Sequence, residues 1–178
     1  MKITNRCAVV AILVLAAASA QAAPWTFTKL SGPQPLAAPA QGAETLVFQV
    51  GSGSAAGASI TRMGFQVTGN LPVGSVTSFE LVAYPAGIGA PGIIVGTNDG
   101  STWRPNAAKA VFEIPLTTPL AVGPSSVTFA LRANVKGGST FFFNTDLQSV
   151  HVSEGGVERF LLGDTEDLPM SGDTLQVN

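Results

Sequence analysis

Residues Ser125 to Val135 read S-S-V-T-F-A-L-R-A-N-V and alternate strictly. Val127, Phe129, Leu131, Ala133 and Val135 fall on one side, and Thr128, Ala130, Arg132 and Asn134 on the other. A period of two held over this length fits a half-buried β-strand and no helix. A one-residue slip would bury Arg132 and Asn134, so the pattern also fixes the register.

The same period recurs along the chain. Trp25 to Leu30 reads as a first short strand with Trp25 and Phe27 on one face. Ser31 to Gly42 holds three prolines and two glycines and reads as an extended connector. Leu46, Phe48 and Val50 form the next apolar row, and Thr61, Met63, Phe65 and Val67 another, closed by Gly69-Asn70. Thr77 to Tyr84 places Phe79, Leu81 and Ala83 inside, with Glu80 and Tyr84 outside. Further strands are expected at Ile93 to Gly96, Lys109 to Ile114, Thr140 to Asn144, Ser149 to Ser153, Val157 to Leu162 and Thr174 to Val177. Pro115 to Pro124 reads as a turning segment. Phe141, Phe142 and Phe143 are consecutive, which suits a strand covered on both faces, or on one face with a neighbour beside it. About ten short strands divided by turn residues predict an all-β, antiparallel β-sandwich of jelly-roll or Ig-like kind, with no helix after the leader.

The leader is a separate element. Lys2 and Arg6 precede an apolar run from Cys7 to Ala18, followed by Ala18-Ser19-Ala20 and Ala20-Gln21-Ala22, both of the A-x-A cleavage type. This predicts a signal peptide over 1–22, of a bacterial, Gram-negative-like kind, and a secreted or cell-surface protein. The run is shorter than the roughly 20 apolar residues of a membrane span. The expected division is then residues 1–22 as signal peptide, 23–42 as an N-terminal strand with its Pro-rich arm, and 43–178 as the sandwich domain. Cys7 is the only cysteine, so the exported chain would hold no disulfide.

Only 11% of residues are charged, against about 25% in ordinary domains. No basic face is available for nucleic acid. Two readings fit the low charge: a neutral β-surface of hydroxyl and small side chains, or a surface covered by other subunits. The charge is also uneven. Asp146 to Asn178 holds most of the acidic residues and one arginine, Arg159. That reads as a solvated acidic tail or as one end of a head-to-tail attraction.

Catalytic patterns are weak. The lone histidine, His151, lies between Val150 and Val152 and should point away from the core, and no G-x-S-x-G elbow accompanies it. One histidine and one cysteine do not make a zinc site. Asp164, Glu166, Asp167 and Asp173, or Asn98-Asp99, could offer oxygens to calcium, but neither group has a calcium-loop spacing. Gly51 to Gly57 lacks the spacing and the following helix of a phosphate loop. Glu80 and Glu113 lie on the outward faces of two expected strands and could in principle pair as in a glycosidase, but nothing in the sequence fixes their separation. No catalytic residue, metal or cofactor is therefore assigned. Trp103 and Arg104 sit in a polar loop, where Trp103 could stack on a sugar ring or close one end of the core.

The segments L-V-F-Q-V, I-T-R-M-G-F-Q-V-T-G-N, F-E-L-V-A-Y, V-F-E-I-P-L and P-L-A-V-G-P-S-S-V-T-F-A-L-R-A-N-V, between Thr45 and Val135, together resemble a β-sandwich module of prokaryotic exported cell-surface and adhesin-like proteins. The resemblance covers about half of the chain and implies a scaffold or binding role, with no active-site residues to carry over. The expected function is a non-enzymatic structural subunit of a cell-surface or extracellular assembly such as a filament. Trp25 and Phe27 would mark an assembly strand that exchanges between copies. The partners would be further copies or other surface proteins. The alternative is a secreted carbohydrate-binding or adhesive module with Trp103 and Arg104 in its glycan loop.

Overall fold

The computed structural model describes residues 25–31, 38–53, 57–99, 109–138, 140–162 and 167–178. They form eleven strands: β1 (Trp25–Ser31), β2 (Ala40–Ser52), β3 (Ala58–Gly69), β4 (Val76–Tyr84), β5 (Ile93–Asn98), β6 (Lys109–Ala121), β7 (Val127–Val135), β8 (Phe141–Glu154), β9 (Val157–Leu162), β10 (Met170–Ser171) and β11 (Leu175–Val177). No helix occurs among the described residues, and so none is long and apolar enough to cross a membrane.

Two antiparallel sheets pack face to face as a sandwich. The first has the order β1-β2-β7-β4-β5. The second runs β8-β3-β6, with β9, β10 and β11 pairing in succession along the other side of β8. The chain crosses between sheets at five of its ten connections, β2–β3, β3–β4, β5–β6, β6–β7 and β7–β8, which staples the layers together. Strand β7 sits at the centre of the first sheet, paired with both β2 and β4. Its row of Val127, Phe129, Leu131, Ala133 and Val135 is buried throughout, as the alternation requires.

The facing rows meet in one core built around phenylalanine. Phe129 stacks on Phe48 at 5.7 Å between ring centres, and Phe48 meets Phe65 of the opposite sheet edge-on at 6.5 Å. Phe65 lies 5.9 Å from Phe112, which stacks on Phe79 at 4.7 Å. This path leaves the first sheet, crosses the second and returns.

Four local expectations are corrected. Strand β6 continues through Pro115 and Pro119 to Ala121, where a turning segment was expected. It is the outer strand of its sheet, and an edge tolerates residues that donate no hydrogen bond. Strand β8 is a single strand and not two, because Asn144 and Asp146 lie on its outward face and do not break it. Strand β2 begins at Ala40, inside the segment expected to be a connector. The inward row of β3 starts at Ile60 in place of Thr61, because Thr61 and Arg62 form a bulge opposite His151. Thr61 is only half-buried and bonds His151 O at 3.3 Å.

The first sheet leans onto the second where β5 approaches β6. A Cβ on Gly96 would fall 2.5 Å from Ile114 Cγ2 and 2.6 Å from the Pro115 carbonyl oxygen. The carbonyl is backbone and cannot step aside. Gly96→Ala is therefore expected to cost about 1–3 kcal/mol, read as a fall in melting temperature of roughly 3–10 °C. Phe129 is fully buried, so Phe129→Asp places an unpaired carboxylate in the core. The loss should exceed about 4 kcal/mol and remove the cooperative unfolding transition, as followed by circular dichroism.

Candidate functional site

Strand β1 is built from alternate core and surface residues. Trp25 and Phe27 are buried, while Thr26 and Thr28 are exposed. Its one ladder partner is β2, with Trp25 opposite Ser52 and Phe27 opposite Val50. Two side-chain contacts tie the strand to the other sheet. Trp25 Nε1 donates to Glu154 Oε1 at 2.8 Å, and Arg159 Nη1 donates to the other oxygen of Glu154 at 2.9 Å. Toward its far end, Lys29 Nζ pairs with Asp173 Oδ1 at 2.7 Å. The two acidic partners both come from the acidic C-terminal region. Thus the strand singled out by sequence is an integral part of the core, and it is the edge strand of its sheet.

The loop candidates Trp103 and Arg104 lie outside the described residues, as do Asp164 and Glu166. Asp173 is engaged with Lys29, and no group of three or more metal-ligating side chains occurs among the described residues. Glu80 is on β4 and Glu113 on β6, so these carboxylates belong to opposite sheets and do not flank one cleft. Glu80 accepts a bond from Asn134 Nδ2 at 3.0 Å.

Glu113 sits on the outer face of the second sheet beside Arg62 and His151. Arg62 Nη1 donates to Glu113 Oε2 at 2.8 Å. His151 points outward, as the flanking valines predict, and its ring lies 4.4 Å from that of Phe160. Its Nε2 is 3.5 Å from Glu113 Oε1 but makes no hydrogen bond. No serine hydroxyl bonds to it among the described residues.

A second feature was not legible in the sequence. On the outer face of the first sheet, Val47, Val82, Tyr84 and Ala130 form a small buried cluster of their own. Tyr84 was expected on this face, and it is only 8% exposed there. Its hydroxyl accepts a short hydrogen bond from Arg132 Nη2 and donates to Glu44 Oε1 at 3.3 Å. Arg132 also pairs with Glu44 at 3.1 Å, and its guanidinium carbon lies 5.8 Å from the centre of the Tyr84 ring. The three side chains come from β4, β7 and β2 and are brought together by the ladder that pairs Arg132 with both Glu44 and Glu80. Alternation shows which face each residue takes, but not that an aromatic will lie flat across three strands.

No protein-family model matches the chain, and no curated protein is similar to it at a significant level.

Burial raises the Tyr84 phenol above the usual value of 10.0; Arg132 opposes this and Glu44 adds to it. The folded protein therefore holds this proton more tightly than the unfolded chain. The resulting stability is complete below pH 10 and is lost as pH rises through the folded value. Tyr84 is the only tyrosine, so phenolate absorbance near 295 nm reports it alone. The expected titration midpoint lies above that of the unfolded chain in denaturant. Tyr84→Phe should remove this tyrosine's share of the alkaline loss of stability.

Proposed function

We propose that this chain is a non-enzymatic, exported structural subunit of a cell-surface or extracellular assembly, joined to its neighbours by exchange of β1. The observation that carries this reading is the dual character of that strand. It supplies core side chains, Trp25 and Phe27, yet it occupies the outermost position of its sheet and pairs with β2 alone. The slot it fills is made by the β2 ladder, by the core between the sheets and by Glu154 and Asp173, all of which another copy also presents, so the β1 of another copy would meet the same partners with the same geometry. Such equivalence is the basis of domain swapping. The preceding basic and apolar leader with its A-x-A sites supports export. The likeness of residues 45–135 to exported surface modules supports the scaffold role. A surface poor in charge, with exposed Ile88, Ile93, Ile94, Val111, Phe160 and Leu162, fits a protein covered by partners.

The exchange can be trapped in the full chain carrying Cys7→Ser, so that the introduced cysteines are its only thiols. Thr28 and Gln49 are direct partners in the β1–β2 ladder and lie on its outward side. Cysteines at both positions, T28C and Q49C, are expected to form a disulfide across the ladder under oxidation. If β1 crosses between copies, non-reducing gels show a ladder of covalent multimers that collapses on reduction. Neither single-cysteine variant gives more than a dimer. A doubly substituted protein that oxidises only to an internally bridged monomer, at high protein concentration, overturns the proposal.

A further inference from the structure

Three phenylalanines stand in a row at 141–143, and the core uses two of them. Phe141 and Phe143 are buried, with ring centres 6.1 Å apart. Phe142 takes the opposite face of β8 and remains 48% exposed, so of the two arrangements the triple run suits, β8 has the second: one face covered, with neighbours beside it. Among the described residues no core contact calls for a large ring there.

Its surroundings are polar and uncharged. Gln176 of β11 is its partner in the ladder. The Phe142 backbone N–H donates to Asn70 Oδ1 at 2.8 Å, which fixes Asn70 beside it. Asn70, Thr140, Thr174 and Gln176 join Phe141 and Phe142 in lining an open groove of about 470 Å³. Thr140 and Thr174 are exposed, leaving their hydroxyls to solvent. Gln176 donates through Nε2 to Asn178 at 3.0 Å, and an amide so engaged keeps its carbonyl oxygen as an acceptor. Asn70 likewise keeps its amide nitrogen as a donor. Two residues along β8, Asn144 bonds Thr68 at 2.9 Å and extends the neutral field.

These features select a ligand class. A phosphate or carboxylate would call for a lysine or arginine, and none lines the groove among the described residues. A protein interface would centre on a contiguous apolar patch, whereas the ladder partner of Phe142 is Gln176 and, apart from the buried Phe141, the described residues lining the groove offer amides and hydroxyls. An aromatic face ringed by neutral donors and acceptors matches a sugar: its C–H face packs on the ring and its hydroxyls bond the amides. We infer that the groove around Phe142 is a binding site for a neutral saccharide. This inference does not depend on exchange of β1, since the groove is formed by β8, β11 and the end of β3.

The test uses the full chain, titrated by calorimetry with maltoheptaose, cellohexaose, xylohexaose and chitohexaose, and with polygalacturonate as a charged control. At least one neutral oligosaccharide should bind and polygalacturonate should not. Phe142→Ala should weaken binding by at least about tenfold, while Phe142→Trp retains it. Both variants should keep the parent melting temperature, because the ring is outside the core. Absence of binding to all four neutral oligosaccharides overturns the inference, as does binding that Phe142→Ala leaves unchanged. If Phe142→Ala instead dissociates a dimer seen by sedimentation, the ring is a protein contact and the saccharide site is refuted.

Discussion

Five phenylalanines hold the two sheets in register. Phe129, Phe48, Phe65, Phe112 and Phe79 make a continuous path from β7 through β2, β3 and β6 to β4. Each link is either a ladder neighbour or a contact across the sandwich. A slip of one residue in any of these strands would turn its ring outward and break the path at that ring. Aromatic pairs in such geometry add about 0.5–1.5 kcal/mol beyond the area they bury. The four links together add about 2–6 kcal/mol, a large share of a net stability of about 5–15 kcal/mol, so a chain with no disulfide among its described residues can hold its shape through packing. The bulge at Thr61–Arg62 shows how strongly the core rules. The strand gives up regular pairing at that point, yet Ile60 and Met63 both remain buried.

The few charges are placed with similar economy. Lys29, Arg62, Arg132 and Arg159 each pair with a carboxylate on a different strand or segment. Exposed pairs contribute little to stability, about 0–1 kcal/mol each. Their effect is on position. Lys29 and Trp25 anchor β1 at two points to residues of the acidic C-terminal region, and Arg132 holds Tyr84 flat over β7. The uneven charge along the sequence thus has a local role within the chain: the acidic region supplies the partners of the N-terminal strand. The same pairs would serve equally well between two copies.

Most of the architecture was legible because burial in a sandwich leaves a period of two in the sequence. The inward residues of β2, β4 and β7, and the five phenylalanines, follow from alternation alone. What was not legible follows from position within a sheet, which a single strand does not encode. Pro115 and Pro119 read as breakers, because the sequence does not say that β6 is an edge. Thr145 to Gln148 falls between two expected strands, because Asp146 and Gln148 on the outward face give no sign that their strand is paired on both sides. Asp146 is buried and bonds the backbone N–H of Gly172 at 3.3 Å, a contact made with a segment that has no periodic signal of its own. At the candidate sites the limit is the same. Trp25 and Phe27 were placed on the correct face of β1, whereas the exposure of Phe142 depends on what covers the outer face of β8, which a single strand does not encode.

Position within the sheets also bears on how such a module could join another. An exposed strand edge invites pairing with a second chain, and proteins blunt their edges to prevent it. Strand β6 carries Lys109, Pro115 and Pro119. Strand β5 departs from its ladder by an irregularity beside Val95 and turns toward β6 at Gly96. The far side of β8 is covered by three short strands in place of one long edge. Strand β1 bears Lys29 and ends in an irregular register at Ser31. Simple edge-to-edge addition is therefore hindered at every described edge. Replacement of β1 adds no strand to an edge; it refills a slot that the fold already requires to be filled, and it keeps the contacts of Trp25, Phe27 and Lys29. The features that guard the edges against indiscriminate pairing are thus compatible with strand exchange, and this is the physical reason to favour exchange over edge addition as the joint of an assembly.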